Sequence, residues 1–548
     1  MLITWVLGSL IVLSGGKLLM GGEPDPAGQS APDAANEPSF ASAPETRTAS
    51  ASSPAGPPQR PDWVPWLVAF VVFAAYSVIS VSLIVRLDAG SSDLATFTEY
   101  VKQYAHLNTP IVDVASPGLN LLGDHFHPIV ALIAPFFLMA PTPITLVVAQ
   151  ALLVAISVIP VSRAAAEKLG RTAARFIAVA YGLSWGLQWM IHFDFHELAF
   201  AVPLLACSLS ALVRGKTRGA VLWALPLVFV KEDQGFTVAA IGLVIMFTAW
   251  RARVRARRDG VGPDGRLGST WGIKAGLFLV LWGLAWTAVS IEVIIPFFNP
   301  WHSYDYWAEG GIIGNSSSNS VFALLGQIGD DYPRKLGTLA LTLAPVVFLA
   351  LRSPLSLVAV PSIFLRFINT DPNYWGTSYH YSAPLMPIVF IAAIDALARI
   401  QAARGVAPSS RRSIAPAVVR YAPALMLAIA LGLCFWAPVK LLWQPGTYTI
   451  SQHVRAEDAA MAKVPDGATV EATENMEAPL AARADVFYAS DPRNPAPQYI
   501  VVDPKDYYTQ PPISGNITQW VKADHRNASY QQIFSREGIY VFRRRSGG

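Results

Sequence analysis

The chain has 548 residues, 53% hydrophobic and only 14% charged, with a mean hydropathy of +0.39. Soluble domains carry roughly a quarter charged residues, so this composition belongs to a polytopic α-helical membrane protein with the lipid bilayer as solvent. A net charge of +4 carried on short loops points to no nucleic-acid partner, and two cysteines inside apolar runs, Cys207 and Cys434, exclude a disulfide framework or a cysteine-rich metal site.

Residues 2–15 are apolar but short for a span that needs roughly 20 residues, and no basic segment precedes them as in a cleaved signal peptide. They read as a weak extra helix within 1–21 or as an extension without structural role. Residues 22–62 are rich in Pro, Ala, Ser and Gly, which cannot bury a core, so the reading there is disorder. Apolar runs follow at about 63–85, 143–161, 173–190, 197–213, 219–230, 234–250, 276–297, 336–351, 353–370, 382–398 and 421–443. Taken as spans they give about 11 transmembrane helices over 63–443. Basic residues then test the orientation. With the first span running outward, the inner gaps hold clusters such as Arg163, Lys168, Arg171 and Arg175, or Arg251, Arg253, Arg255, Arg257 and Arg258. The outer gaps hold only Arg86, Lys102, Lys231, Arg334 and Lys335. This is the positive-inside pattern. It puts a long first loop, 86–127, outside, closed by an amphipathic or re-entrant segment over 128–141. The tail, 444–548, alternates short β-rich runs such as Tyr499-Ile500-Val501-Val502 with helical and turn segments, as in a small extracytoplasmic α/β domain.

Ionisable residues gather on the outer side. The first loop has Asp88, Asp93 and Glu99, then Gly123-Asp124-His125-Phe126-His127-Pro128. The second outer gap is His192-Phe193-Asp194-Phe195-His196-Glu197, four ionisable side chains in six residues between apolar runs. Polar groups there are costly unless they serve a purpose. The third is Lys231-Glu232-Asp233-Gln234-Gly235, after an apolar helix of about 12 residues that covers roughly 18 Å of a 30 Å core. These three charges therefore belong below the outer headgroups, in protein or a wet cavity. A fourth outer gap, 298–307, mixes aromatic and polar residues, including Trp301 and Trp307, and Arg366 interrupts an apolar span ahead of His380 and Tyr381.

Each feature has two readings. Asp93 caps the helix starting at Leu94, or does chemistry. Lys231 neutralises Glu232 or Asp233, or binds substrate. The 298–307 aromatics form an interfacial belt or stack on sugars. Arg366 snorkels to the interface or meets an anion. His192, Asp194 and His196 alternate, so an extended loop puts them on one side, where they are candidate ligands for a divalent metal; the alternative is plain hydrogen bonding.

Taken in order, Asp93-Leu94, Gly123-Asp124-His125-Phe126-His127-Pro128, His192-Phe193-Asp194-Phe195-His196-Glu197, Lys231-Glu232-Asp233-Gln234-Gly235 and His380-Tyr381 resemble the DUF2079 family of predicted bacterial membrane proteins. The resemblance runs from about 80 to 400 and more loosely through the tail. It departs at Asp93-Leu94-Ala95-Thr96-Phe97-Thr98-Glu99, where the family pattern is closer to Asp-Leu-Gly-Ile-Phe-Asp-Gln, so a second acidic position is changed. The family's architecture is similar to that of the GT-C glycosyltransferases, in which a polyprenyl-phosphate sugar meets an acceptor at the outer face. That likeness implies a plasma-membrane enzyme transferring a sugar to an envelope glycan or lipid acceptor. The first-loop acid that acts there as general base, or holds the acceptor or a metal, falls by position on Asp93, with Asp88 as second choice. Substrate contacts would come from Asp124, His125, His127, His192, Asp194, His196, Glu197, Lys231, Glu232, Asp233, Arg366, His380 and Tyr381. The rival readings are a lipid or solute transporter or flippase, and a non-catalytic assembly protein docking through its tail.

Overall fold

The computed structural model describes residues 62–88, 92–258, 263–304, 326–403, 415–507, 509–513, 515–525 and 528–545. The N-terminal helix and disorder expected within 1–62 fall outside these residues apart from Asp62, as do Asp305, Tyr306 and Trp307 of the aromatic run.

The chain opens with α1 (Val64–Val85), started by Pro65 and apolar on every face. Helix α2 (Asp93–Ala105) is amphipathic and buries Leu94, Phe97, Tyr100 and Val101. The segment expected to close the first loop is α3 (Pro128–Met139), whose Phe137 is buried while Phe136, Leu138 and Met139 are exposed. Next come α4 (Pro143–Leu169), α5 (Arg171–Gly182) and α6 (Trp185–Phe193). The expected run 173–190 is thus split in two, at Ser184, whose backbone is extended. Then follow α7 (Glu197–Val213), α8 (Thr217–Phe229), α9 (Gln234–Arg258) and α10 (Thr270–Phe298). Helices α9 and α10 run backbone against backbone. A Cβ at Gly235 would collide with the Gly283 carbonyl, and one at Gly242 with that of Gly276. Small residues permit such close helix contact in membranes. After α11 (Tyr332–Leu343) the run 336–351 breaks into tight turns, with Val347 and Phe348 in left-handed backbone at φ 52 and 56°. The bundle ends with α12 (Pro354–Ile368), α13 (Leu385–Ala403) and α14 (Ala417–Leu433).

Among the described residues, five of these helices, α1, α4, α9, α10 and α13, are long and apolar enough to cross a membrane. Five more, α3, α7, α8, α12 and α14, are apolar but span only 10–17 residues. Helix length and composition thus give five crossings where the apolar runs number eleven. Breaks at Ser184 and Val347 shorten two of the runs.

The tail forms α15 (Gln452–Met461), β1 (Thr469–Ala472), α16 (Glu474–Ala481), β2 (Asp485–Tyr488), β3 (Tyr499–Val502), α17 (Ile517–Asp524), β4 (Tyr530–Arg536) and β5 (Ile539–Arg544). The sheet order is β2-β1-β3-β5-β4. Strand β1 lies parallel to β2 and β3, while β5 runs antiparallel to both β3 and β4. Val470, Ala472, Val486 and Val501 pack on one face of the sheet, and Ile500 and Val502 on the other. The β4–β5 hairpin turns on Glu537 and Gly538, both with positive φ. This domain packs α16 directly on α2 of the first loop.

Candidate functional site

The loop before α3 is held by a close approach. A Cβ on Gly123 would sit 2.6 Å from the backbone of Phe298 and Asn299, and Asn299 Nδ2 donates to the Gly123 carbonyl at 2.9 Å. That contact brings the 298–304 segment over the start of α9, where Glu232 is a hub. Its Oε1 lies 2.8 Å from His125 Nδ1 and accepts from the Tyr304 hydroxyl at 3.0 Å, and its Oε2 accepts from the Phe126 N–H at 3.1 Å. The Thr287 hydroxyl on α10 donates to the Glu232 carbonyl at 2.8 Å. The carboxylate is therefore held by three groups, and the backbone beneath it by a fourth.

A second group adjoins it. Lys231 Nζ is 3.3 Å from Glu197 Oε1, and His196 Nδ1 is 2.7 Å from Glu197 Oε2. Lys231 thus reaches beyond its neighbours Glu232 and Asp233 to Glu197 at the start of α7. Glu197 is 1% exposed. A carboxylate buried that deeply needs a cation, because an unpaired one costs several kcal/mol. His196 stacks on His380 with ring centroids 3.4 Å apart. His380 is 2% exposed, and neither of its ring nitrogens has a hydrogen-bond partner among the described residues. Gln150, a lone amide in the apolar run of α4, pins this loop. Its Oε1 accepts from the His196 N–H at 3.0 Å and its Nε2 donates to the Met190 and Asp194 carbonyls.

Aromatic rings join the two groups. Phe97 on α2 lies 5.5 Å from both His127 and His196, and Tyr100 lies 4.9 Å from His127. Asp93 sits one turn before Phe97, so it shares that helix face. It is the first helical residue, behind Ser92 as N-cap, and so is not the cap of a helix starting at Leu94. Arg366 is buried and donates to the Tyr374 and Gly376 carbonyls at 2.9 Å and to the Ser382 hydroxyl at 3.2 Å, with Tyr381 over its guanidinium. It neither snorkels nor meets a carboxylate among these contacts.

His125, His127, His196, Glu197, Lys231, Glu232 and His380 are thus brought together, with Tyr381 beside His380 at 4.1 Å. Asp124 lies at the edge, half exposed and 4.0 Å from His125. Asp233 accepts from the Gln234 amide next to it. His192 does not join. It ends α6 and packs on Trp189 at 5.4 Å, because helix rather than extended chain carries it. Asp194 is buried and extended, but the His192–Asp194–His196 trio is not one of the groups close enough to share an ion. Among the described residues those groups are His453–Glu457–Asp503 and Glu471–Asp524–His525, both in the C-terminal domain. Phe97, Tyr100 and Gln150 were not legible as site residues, although a single Gln inside an apolar helix was a signal.

Electrostatics differ between neighbours in the first loop. Burial opposes charge on His125, as does Lys231, but the Glu232 and Asp124 carboxylates outweigh both and raise its pKa. Burial pushes His127 down to about 4, so it is neutral at pH 7. Burial pushes Glu99 up to about 8, against Lys102 and the Val114 N–H that bonds it.

A profile described as "Predicted membrane protein (DUF2079)" matches residues 83–541. The chain belongs to the DUF2079 family. No curated protein matches the sequence of this DUF2079 protein. It is similar to the crystal structure of ArnT from Cupriavidus metallidurans bound to undecaprenyl phosphate, with TM-score 0.52 and 15% identity over 88% of this chain and 98% of that one. It is also similar to apo ArnT from the same organism, with TM-score 0.48 and 16% identity over 87% and 97%. The apo oligosaccharyltransferase of Archaeoglobus fulgidus follows at TM-score 0.38 and 11% identity over 89% and 75%. The undecaprenyl-phosphate-bound ArnT shares its fold with this DUF2079 protein, a mostly helical membrane protein with a small C-terminal sheet.

Proposed function

We propose that this protein is a GT-C-like glycosyltransferase that moves a sugar from a polyprenyl-phosphate donor to a cell-envelope glycan or lipid acceptor. Transfer takes place at the extracytoplasmic face of the bacterial plasma membrane, with the eleven apolar runs as crossings and the C-terminal domain outside. The observation that carries the reading is the buried cluster itself. Lys231, His125 and the ring nitrogens of His380, unbonded among the described residues, belong to it, and Phe97, one turn after Asp93, packs against its His127 and His196. Buried polar atoms left without partners cost about 1–3 kcal/mol each and are kept where a ligand completes them. The fold is that of a protein crystallised with undecaprenyl phosphate, which supports a lipid phosphate as the ligand class.

In the transfer, the acceptor hydroxyl gives its proton to the Asp93 carboxylate. Its oxygen then bonds to the anomeric carbon as the bond from that carbon to the phosphate oxygen breaks, and the polyprenyl phosphate leaves with the electron pair. Lys231 and His125 stabilise the charge growing on the phosphate. His380 and His196 hold it in place, and Tyr381 and Trp301 flank the sugar.

The test is transfer from a lipid-linked sugar in proteoliposomes. Asp93→Asn should lose about 10²–10⁴-fold in rate, as for a general base, with thermal unfolding unchanged. Full activity of that variant sinks the role of Asp93. Lipid movement across the bilayer without any glycosidic product sinks the transferase in favour of a flippase.

A further inference from the structure

The helix that carries Asp93 is held at both ends by the C-terminal domain, through contacts that no sequence motif announced. At its start, the backbone N–H of Ser92 donates to Glu474 Oε1 at 2.9 Å. The first N–H groups of a helix have no partner of their own, and here one of them is satisfied by a residue 382 positions away. Glu474 is itself fixed. Its N–H donates to the Thr509 hydroxyl at 2.9 Å, and that hydroxyl donates to Asp506 Oδ2 at 2.7 Å. At the other end, Lys102 Nζ donates to the Ala484 carbonyl at 2.6 Å and lies 3.5 Å from Asp485 Oδ1. Between these anchors, Phe97 and Tyr100 press on His127 and His196. Helix α2 is therefore clamped lengthwise by one domain while its inner face sets the site.

We infer that Glu474 and Lys102 are positioning residues of the transfer, a two-point latch by which the C-terminal domain fixes the height and rotation of α2, and with it Asp93, over the cluster. The inference rests on the transferase reading for its consequence, though not for its geometry. The ionisable groups facing the latch are Asp93 and Glu99 on α2, Glu477 on α16, Asp485 on β2 and Asp506 after β3. Lys102 also approaches Glu99, at 3.8 Å. The latch is thus mostly acidic, with Lys102 as its cation. Both anchors act on backbone groups, Ser92 N–H and Ala484 C=O, so they fix position with little dependence on neighbouring side chains.

The experiment uses the full-length protein in nanodiscs, with hydrogen exchange of the Ser92–Ala105 amides read beside transfer kinetics. Glu474→Ala and Lys102→Ala should each raise exchange along α2 at least about tenfold, leaving the bundle helices unchanged. Both should lower kcat roughly 10- to 100-fold, as a small misplacement of a catalytic group does, with KM for the lipid-linked donor within about threefold. Glu474→Gln keeps an acceptor oxygen and should restore most of both readouts, which separates lost positioning from lost folding. Unchanged exchange in both alanine variants overturns the latch. Raised exchange with unchanged kcat overturns its positioning role. Undetectable transfer by the unmodified protein sinks the transferase reading instead, and full activity of Asp93→Asn sinks only the role of Asp93, while the exchange data still decide the latch.

Discussion

The bundle and the C-terminal domain each bury a set of histidines and carboxylates, yet the two sets are finished differently. In the domain, Glu471 on β1 is fully buried and accepts from the Ser490 N–H, the Asn494 amide and, at 2.8 Å, His525. His453 reaches Asp503 at 2.8 Å, and Glu457 bonds Asn475. In the bundle, Glu232 is as fully engaged, but among the described residues neither ring nitrogen of His380 nor His127 Nδ1 has a hydrogen bond, as Asp524 Oδ2 and Asn494 Oδ1 have none in the domain. The bundle set also contains a lysine, Lys231. Similar ingredients thus make a brace centred on Glu471 in one place and a lysine-bearing cluster around an unbonded imidazole in the other. Composition does not tell them apart; the partners do.

That contrast can be broken in graded ways. Lys231→Met should have the largest effect. It leaves Glu197 buried with only His196 beside it, and should cost about 3–5 kcal/mol in unfolding experiments together with transfer. Glu232→Gln preserves shape but removes the carboxylate that raises the pKa of His125. Transfer should fall about 10- to 100-fold with a nearly unchanged melting temperature. Glu471→Gln should do the reverse, destabilising the domain by about 1–3 kcal/mol while leaving transfer at low temperature intact. A large loss of transfer there would mean that the two sets are not distinct.

A gentler probe is pH. Burial holds Glu457 and Glu474 up to about 7, above the ordinary 4.5. Carboxyls that bind protons more tightly when folded favour the fold at low pH, so that stability is lost as pH climbs from about 4.5 to about 7. His525 acts in the same direction. Burial opposes its charge, but Glu471 raises its pKa, so its contribution fades as pH rises past that value. The domain's melting temperature should be at least about 5 °C higher at pH 5 than at pH 8, and Glu457→Gln with Glu474→Gln should flatten the slope. Stability rising over that range would contradict the assignment. The smallest effect belongs to His192→Ala, which should change transfer less than about threefold, since His192 packs on Trp189 rather than in the cluster.

Much of this was legible in the residues. The apolar runs located the helices, and the alternating Tyr499–Val502 and Ile539–Phe542 stretches located two strands. Charged residues between apolar runs marked the 125–127, 196–197 and 231–232 segments that meet at the site. What stayed hidden depends on packing. Strand β4, Tyr530-Gln531-Gln532-Ile533-Phe534-Ser535-Arg536, is a polar edge whose pattern carries little signal. The alternation of His192, Asp194 and His196 suggested one shared face, but helix α6 continues through His192 and rotates it away. The partners of Lys231 and Glu232 lie 34 and 107 residues away in sequence, at Glu197 and His125. Spacing along the chain favours neighbours and so paired them with each other. Glu474 and Lys102 were invisible for the same reason.

The facing glycines of α9 and α10 have a mechanical consequence. With Gly235 on Gly283 and Gly242 on Gly276, the two backbones interlock at sites seven residues apart on each helix, which leaves no slack for sliding or rolling. Lys231 and Glu232 stand at the end of that interlock, tied to it by Thr287. They form the stationary jaw of a vice. On the proposed transferase reading, travel to admit a lipid or release a product falls to the other jaw, helix α2 and the domain that grips it.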